Sequence, residues 1–255
     1  MIESTFLFLP GVGHITERKW WRDGIETWHH FLDTNRISGM SGERKALYNE
    51  RVAAAQQHYV ERDARFFGRQ MKARDQWRLY EWLRGSAVYL DIETAGPSGD
   101  VTVVGLYGRG TMTSLVAGDT LTEDRLSEEL SCYELILTFF GSGFDLPCLR
   151  ARYPRLRLDQ PHIDLCFVAK QVGLRGGLKS IESKVGIERT AALQGLDGWD
   201  AVRLWTRWRH GRDAEALDLL LAYNEADCRN LEPLADFLYC GLARQCRGDL
   251  FPRIS

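Results

Sequence analysis

The stretch Val88-Tyr-Leu-Asp-Ile-Glu-Thr94 closes an apolar run with two acids. Side chains alternate along a strand, so Asp91 and Glu93 share one face while Ile92 points the other way, into the core. Two carboxylates placed together repel, and a protein tolerates them when a hard, oxygen-preferring cation such as Mg2+ or Mn2+ sits between them. A solvated strand end is the plainer explanation of an isolated Asp-x-Glu, so the flanking sequence must decide.

Outward from this strand, the pattern is that of an α/β fold. Ser86 to Leu90 forms its apolar body; Val101 to Tyr107 and Met112 to Val116 read as strands around the turn Gly108-Arg-Gly110. Leu121 to Leu130 is helical, Glu134 to Phe139 a buried strand, and Phe144 to Tyr153 a helix interrupted early by Pro147. His162 to Leu165 is a last short strand. Beyond Leu178 only helical patterns remain, strongest over Asp213 to Leu238. Strands joined by tight turns and then separated by helices predict a mixed β-sheet flanked by helices. Before Gly85 the chain reads as all-α. Ser41 to Gln70 has the spacing of one long amphipathic helix, and Asp75 to Leu83 of a second. The expected organisation is a helical region over 1–85, a catalytic domain over 86–240 and a C-terminal tail over 241–255.

Two further stretches give the first one its meaning. Leu137-Thr-Phe-Phe-Gly-Ser-Gly-Phe-Asp-Leu-Pro-Cys-Leu149 is a buried strand, a small-residue turn and a helix start carrying Asp145. Its glycines are expected to let a substrate backbone approach. Leu221-Ala-Tyr-Asn-Glu-Ala-Asp227 lies on a helix, where Tyr223 and Asp227, four apart, are neighbours on one face. Singly, Asp145 reads as a helix cap and Tyr223 with Asp227 as a surface contact. Together, in this order, they make a carboxylate constellation.

That constellation resembles the DEDD exonuclease superfamily in its Tyr-containing branch, which includes the proofreading domains of DNA polymerases. The match is Asp91 and Glu93, then Asp145, then Tyr223 with Asp227. More narrowly, His162-Ile-Asp-Leu165, Gly177-Leu-Lys-Ser-Ile-Glu182, Gly186-Ile-Glu-Arg189 and Ala222-Tyr-Asn-Glu-Ala-Asp227 are similar to a bacterial family described as ribonuclease-H-like or as predicted exonucleases, over about residues 86 to 240. The resemblance implies a ribonuclease-H-like fold and 3′–5′ hydrolysis of phosphodiesters, with single-stranded DNA or frayed ends preferred and RNA possible. It also implies two Mg2+ or Mn2+ ions held by Asp91, Glu93, Asp145 and Asp227, with Tyr223 positioning the attacking water. A phenol of ordinary pKa, about 10, does not serve as a full base at neutral pH. Thr94, Phe140, Phe144 and Lys179 are candidates for the substrate strand. Phe140 stands where the proofreading domains often carry a strand-contacting Asn; it either stacks on a base or fills the core, and filling the core is the expectation. The same acids would also serve a ribonuclease or a structure-selective endonuclease, and a decayed centre would leave a nucleic-acid-binding protein.

Composition agrees with an intracellular enzyme. Of 255 residues, 44% are hydrophobic and 27% charged, which suits a packed core rather than disorder. The first residues lack a secretory signal and no apolar run suits a bilayer, so a cytoplasmic protein without membrane contact is expected. Six cysteines without Cys-x-x-Cys pairing are expected to be reduced. Residues 1–85 hold 14 Lys and Arg against 11 Asp and Glu, the remainder 19 against 24, so the acidity gathers where the carboxylates do. Leu9-Pro-Gly-Val-Gly-His-Ile-Thr-Glu-Arg-Lys-Trp20 resembles half of a helix-hairpin-helix, whose turn offers amides to a DNA phosphate; a helical pair that merely packs reads equally well. Asp164 suits a helix cap, Arg175 a phosphate contact, and Arg203, Arg207 and Arg209, interleaved with Trp205 and Trp208, a helix with Trp inside and Arg outside.

Overall fold

A computed structural model describes residues 1–96 and 99–248. The chain opens with helices α1 (His14–Arg22), α2 (Trp28–Asp33), α3 (Gly42–Val60), α4 (Ala64–Gln70) and α5 (Tyr80–Leu83). The single helix expected over Ser41–Gln70 is two. Arg62 adopts a left-handed φ of 57°, and the Asp63 side chain accepts the Phe66 amide at 3.2 Å, capping α4. A side-chain cap broke the helix where no Gly or Pro marked the sequence. Asp75–Leu83 also differs, being a 3-10 helix over Ala73–Leu79 followed by α5. The tighter winding has a tertiary cause. The buried Gln76 amide donates to Gly68 O at 2.8 Å and to Met71 O at 3.3 Å, and its carbonyl accepts the His162 amide at 2.9 Å, tying this segment to the sheet edge.

From Ala87 the chain builds β1 (Ala87–Thr94), β2 (Val101–Gly108), β3 (Thr111–Val116), α6 (Glu123–Ser131), β4 (Leu135–Thr138), α7 (Asp145–Arg152), β5 (His162–Asp164), α8 (Leu165–Gln171), α9 (Leu178–Val185), α10 (Gly198–Gly211) and α11 (Ala214–Gly248). The five strands form one sheet in the order β3-β2-β1-β4-β5, with β1, β2 and β3 antiparallel and β4 and β5 parallel to β1. This is the expected mixed sheet with flanking helices and a helical N-terminal region. Pro147 sits in the first turn of α7, where its missing N–H is no loss, so it starts the helix rather than interrupting it. Helix α11 outruns the expected Leu238 and buries Leu242; residues 249–255 of the expected tail lie outside the described residues. Among the described residues no helix is long and apolar enough to cross a membrane, and all six cysteines are free thiols.

The two faces of β1 pack differently, as the alternation requires. Val88, Leu90 and Ile92 join Leu126, Leu130 and Leu149 of α6 and α7. Ala87 and Tyr89 face Leu231, Leu234 and Leu238 of α11, in a core that continues into the N-terminal helices through Leu83 and Trp77 to Trp20, Trp28 and Phe31. Trp28 stacks on Phe67, with centroids 5.9 Å apart and planes 3° apart. The Leu9–Trp20 segment forms a turn and α1, anchored by buried Trp20 and Trp21. Arg78 crosses to α1, meeting the buried Glu17 carboxylate at 2.9 Å.

The approach of α11 depends on one missing methyl. Gly105 of β2 pairs with Asp91, and a Cβ there would lie 2.1 Å from Asn224 Oδ1 and 2.6 Å from Cys228 Sγ. Gly105→Ala is expected to destabilise the chain by about 1–3 kcal/mol through overpacking. Denaturant unfolding checks this: a midpoint within error of the wild type would mean that α11 is not seated against β2 here.

Candidate active site

Strand β1 sends Asp91 and Glu93 toward α11, on the face of Tyr89, while α11 returns Tyr223, Asn224 and Asp227 to them. Carboxylate oxygens of Asp91, Glu93 and Asp227 all lie within 4.8 Å of one another. Asn224, fully buried, donates from Nδ2 to Asp91 Oδ2 at 2.9 Å and to Asp91 O at 3.3 Å, which fixes the strand and its acid together. Glu93 and Asp227 are buried. Asp145 is the first residue of α7. It stands outside that trio of oxygens and accepts the Ile92 amide at 3.2 Å, so α7 docks on the acid-bearing strand through this carboxylate.

The turn before Asp145 is braced from β5. Asp164 accepts from Phe140 N at 2.8 Å, Ser142 N at 3.0 Å and Ser142 Oγ at 2.5 Å, and it caps α8 by accepting Cys166 N at 3.1 Å. The bracing holds Phe140 at a left-handed φ of 65°, a conformation that costs a non-glycine residue about 1–3 kcal/mol. One expectation changes here. Phe140 does not fill the core: its side chain is 47% exposed and lies 6.3 Å from the exposed Phe167 ring. The turn also needs its glycines for its own packing, since a Cβ on Gly141 would strike the Thr138 side chain and one on Gly143 the Phe140 ring at 2.7 Å. Phe144 is half-buried against the α6–α7 side of the sheet. The Thr94 hydroxyl donates to Gly96 O at 2.8 Å, closing the end of the strand.

Lysine and arginine approach the acids from α9 and the loop after it. Lys179 Nζ donates to Tyr223 Oη at 3.0 Å and to Leu196 O, and lies 4.6 Å from the centroid of the tyrosine ring. Arg189, to which no motif gives a role, donates to Glu182 and to Asp227. Asn224 on Asp91 and Glu182 on Arg189 are likewise site residues that their motifs leave without a part. Nothing in helical spacing says that an asparagine, three before the acid, will reach across to another element. The basic stretch of α10 is ordinary: Arg203 and Arg207 pair with Asp200 and Asp213, and Trp205 is buried.

The electrostatics follow from packing acids together. Burial first, then the charges of Asp227 and Asp145, push Glu93 from 4.5 up to about 8. Burial raises Asp145 from 3.8 to about 7 against the pull of the Ile92 amide. Asp91 and Asp227 are raised too, Asp91 by burial and the other three acids, Asp227 by burial against the opposing Arg189. Burial and the same carboxylates keep the Tyr223 phenol protonated far above neutral pH. His162 is held neutral, down at about 4, chiefly by burial, with Nε2 2.9 Å from Thr138 Oγ1. An all-oxygen donor set of mutually repelling carboxylates fits hard divalent cations, whose charge removes the repulsion.

The RNase H superfamily model matches residues 88–239. The chain belongs to the RNase H superfamily. The match runs from the strand bearing Asp91 to the helix bearing Asp227, so it spans every acid of the cluster. No curated protein and no solved structure shows significant similarity to the chain. RNase H membership points to nuclease chemistry on nucleic acid with divalent metals, and the acidic trio Asp91, Glu93 and Asp227 lies within the matched residues.

The shifted acids set the pH response of this RNase H domain. Glu93 and Asp145 keep protons when folded that an unfolded chain releases near pH 4. The folded state therefore binds more protons between about pH 4 and 8, and the stability held below that window is lost as pH rises through it. In chelator, the melting temperature of the wild type relative to Glu93→Gln is expected to fall from pH 5 to 8, and Mg2+ or Mn2+ to reverse the fall by binding the folded form. A difference that stays level, with or without cation, would show that Glu93 ionises freely.

Proposed function

We propose that this RNase H domain is a 3′–5′ exonuclease of the Tyr-containing DEDD type, acting on single-stranded DNA or frayed ends. The observation that carries the proposal is the convergence of Asp91, Glu93 and Asp227 oxygens within 4.8 Å, with Asp145 beside them and Tyr223 one turn from Asp227. Four acids from β1, α7 and α11 are costly to gather, as their raised pKa values attest, and a polyanionic substrate would only add to the repulsion. Divalent cations make both tolerable.

In this reading Asp91, Glu93, Asp145 and Asp227 would hold two divalent cations, Mg2+ or Mn2+. What such ions supply is acidification of the attacking water and neutralisation of charge at the scissile phosphate. The chain's own residues do the rest. Tyr223, kept a phenol, donates a hydrogen bond and orients the attacking water rather than removing its proton. Lys179 fixes the tyrosine ring and adds positive charge on the side where phosphate would enter. The exposed Phe140 ring, held out by the Asp164-braced turn, offers a face for an unpaired base, and Phe144 supports that turn from within. Thr94, at the end of β1, borders the terminal nucleotide through its backbone. Preference for unpaired strands follows, because a base must leave its stack to lie on Phe140.

The test is product analysis with 5′-labelled and 3′-labelled DNA and RNA in Mn2+, Mg2+ or chelator. The expected result is a ladder shortening from the 3′ end, absent in chelator and in Asp91→Asn, Asp145→Asn and Asp227→Asn. Discrete internal products would make the enzyme an endonuclease, faster turnover of RNA a ribonuclease, and activity surviving in any of the three variants would remove that residue from the site. Tyr223→Phe is expected to lower kcat by about 10²-fold through loss of water orientation. Phe140→Ala should instead weaken strand binding by about 1–3 kcal/mol; equal KM values for Phe140→Ala and wild type would take the ring out of the substrate path.

A further inference from the structure

The loop after α9 carries a buried arginine whose geometry exceeds what neutralising a carboxylate requires. Arg189 Nε and Nη2 each donate to one oxygen of Glu182 at 2.7 Å, and Nη2 also donates to Asp227 Oδ1. The Arg189 side chain is 6% exposed and that of Glu182 2%. Asn230, on α11 one turn beyond Asp227, donates to Glu182 Oε1 at 3.0 Å. The chain of contacts Asn230, Glu182, Arg189, Asp227 therefore leaves α11, passes through α9 and its loop, and returns to α11 at the acid.

Charge explains only part of this. Glu182 already matches the charge of Arg189 with a two-pronged pair, and Arg189 still opposes the rise that burial imposes on Asp227. What remains is direction. A planar guanidinium can grip Glu182 with two N–H groups and still aim a third at a fixed point, which a lysine ammonium on a flexible stem cannot do. A carboxylate has two oxygens, and engaging one of them sets the orientation of the other. Carboxylate ligands of metals depend on such outer partners for their orientation.

We propose that Arg189, locked by Glu182, is a positioning residue that holds Asp227 by Oδ1 and so fixes how that carboxylate would meet a divalent cation shared with Asp91 and Glu93. This rests on the reading of the acid cluster as a cation site. The arginine touches neither substrate nor reacting atoms; its contribution is the affinity and geometry of the site.

The experiment is a calorimetric titration of Mn2+ into the full chain, with melting temperatures in chelator measured in parallel. Wild type is expected to bind, and Asp91→Asn not to. Arg189→Lys keeps the charge and loses the fork, and it is expected to weaken Mn2+ binding by about 10- to 100-fold. Arg189→Gln is expected to weaken it at least as much. Arg189→Lys binding like wild type, or Arg189→Gln binding more tightly, would show the arginine to be a mere counter-charge and would overturn the proposal. A fall in melting temperature with Mn2+ affinity unchanged would overturn it equally, since that is what a purely structural role predicts. Should the arginine variants fail to fold, Glu182→Gln keeps the size of the side chain but replaces one acceptor oxygen with an amide donor and so breaks the two-pronged grip; undiminished Mn2+ affinity in it would overturn the proposal equally. If wild type itself does not bind Mn2+, the cation site falls, and the positioning role with it.

Discussion

The close contact between α11 and the central strands is the constraint from which the rest of this molecule follows. A helix normally stands off a sheet by the thickness of its side chains. Here Gly105 removes one of them, Asn224 enters the gap, and its amide ties α11 to both the backbone and the carboxylate of Asp91. That contact brings Asp227 to Asp91 and Glu93, residues more than a hundred positions earlier in the chain. It also gives β1 a polar end on a face whose beginning, at Ala87 and Tyr89, is apolar.

Bringing acids together this way sets an electrostatic problem that the structure meets in two layers. Inside the cluster, burial raises the proton affinity of all four carboxylates, and repulsion from neighbouring acids of the cluster adds to it at Asp91, Glu93 and Asp145. Around it, the positive groups next to the acids each have other partners: Lys179 donates to Tyr223 and Leu196, and Arg189, which touches Asp227, is also gripped by Glu182. Neither can swing in to cancel the negative charge completely, because each would have to give up its other partners. The acids thus hold protons that a divalent cation would displace on binding, at positions fixed by their neighbours. Such a balance suits a superfamily whose chemistry is done on phosphates.

A second bracing network works through Asp164. One carboxylate caps α8 and holds the turn from Phe140 to Ser142, so the helix that starts with Asp145 begins from a fixed point. The strained φ of Phe140 is the local cost of projecting an aromatic ring outward rather than into the core. The N-terminal helices take no part in this bracing. Their aromatic core meets the same sheet face that α11 covers, and the buried pair of Arg78 and Glu17 joins them to the segment leading into β1.

How much of this the sequence alone dictated can be seen element by element. Period-two alternation fixed the faces of β1, and hence which acids look the same way; helical spacing put Tyr223 and Asp227 on one side of α11. Those are local consequences of backbone geometry, and they were legible together with the mixed sheet, because apolar patterning reports burial directly. The break of the Ser41–Gln70 helix at Arg62, the 3-10 winding of Ala73–Leu79 and the outward Phe140 were not legible, since each is decided by side-chain hydrogen bonds: the Asp63 and Asp164 carboxylates accept backbone amides, and the Gln76 amide bonds backbone groups of distant residues. The same holds for Asn224, Glu182 and Arg189: residue type and spacing say that they are polar on helices or loops, not that they will meet an acid on another element. Patterns along the chain specify which face is buried. Which polar groups meet across that buried face is settled only when the elements pack, because a hydrogen bond depends on distances of a few tenths of an ångström that no periodicity encodes.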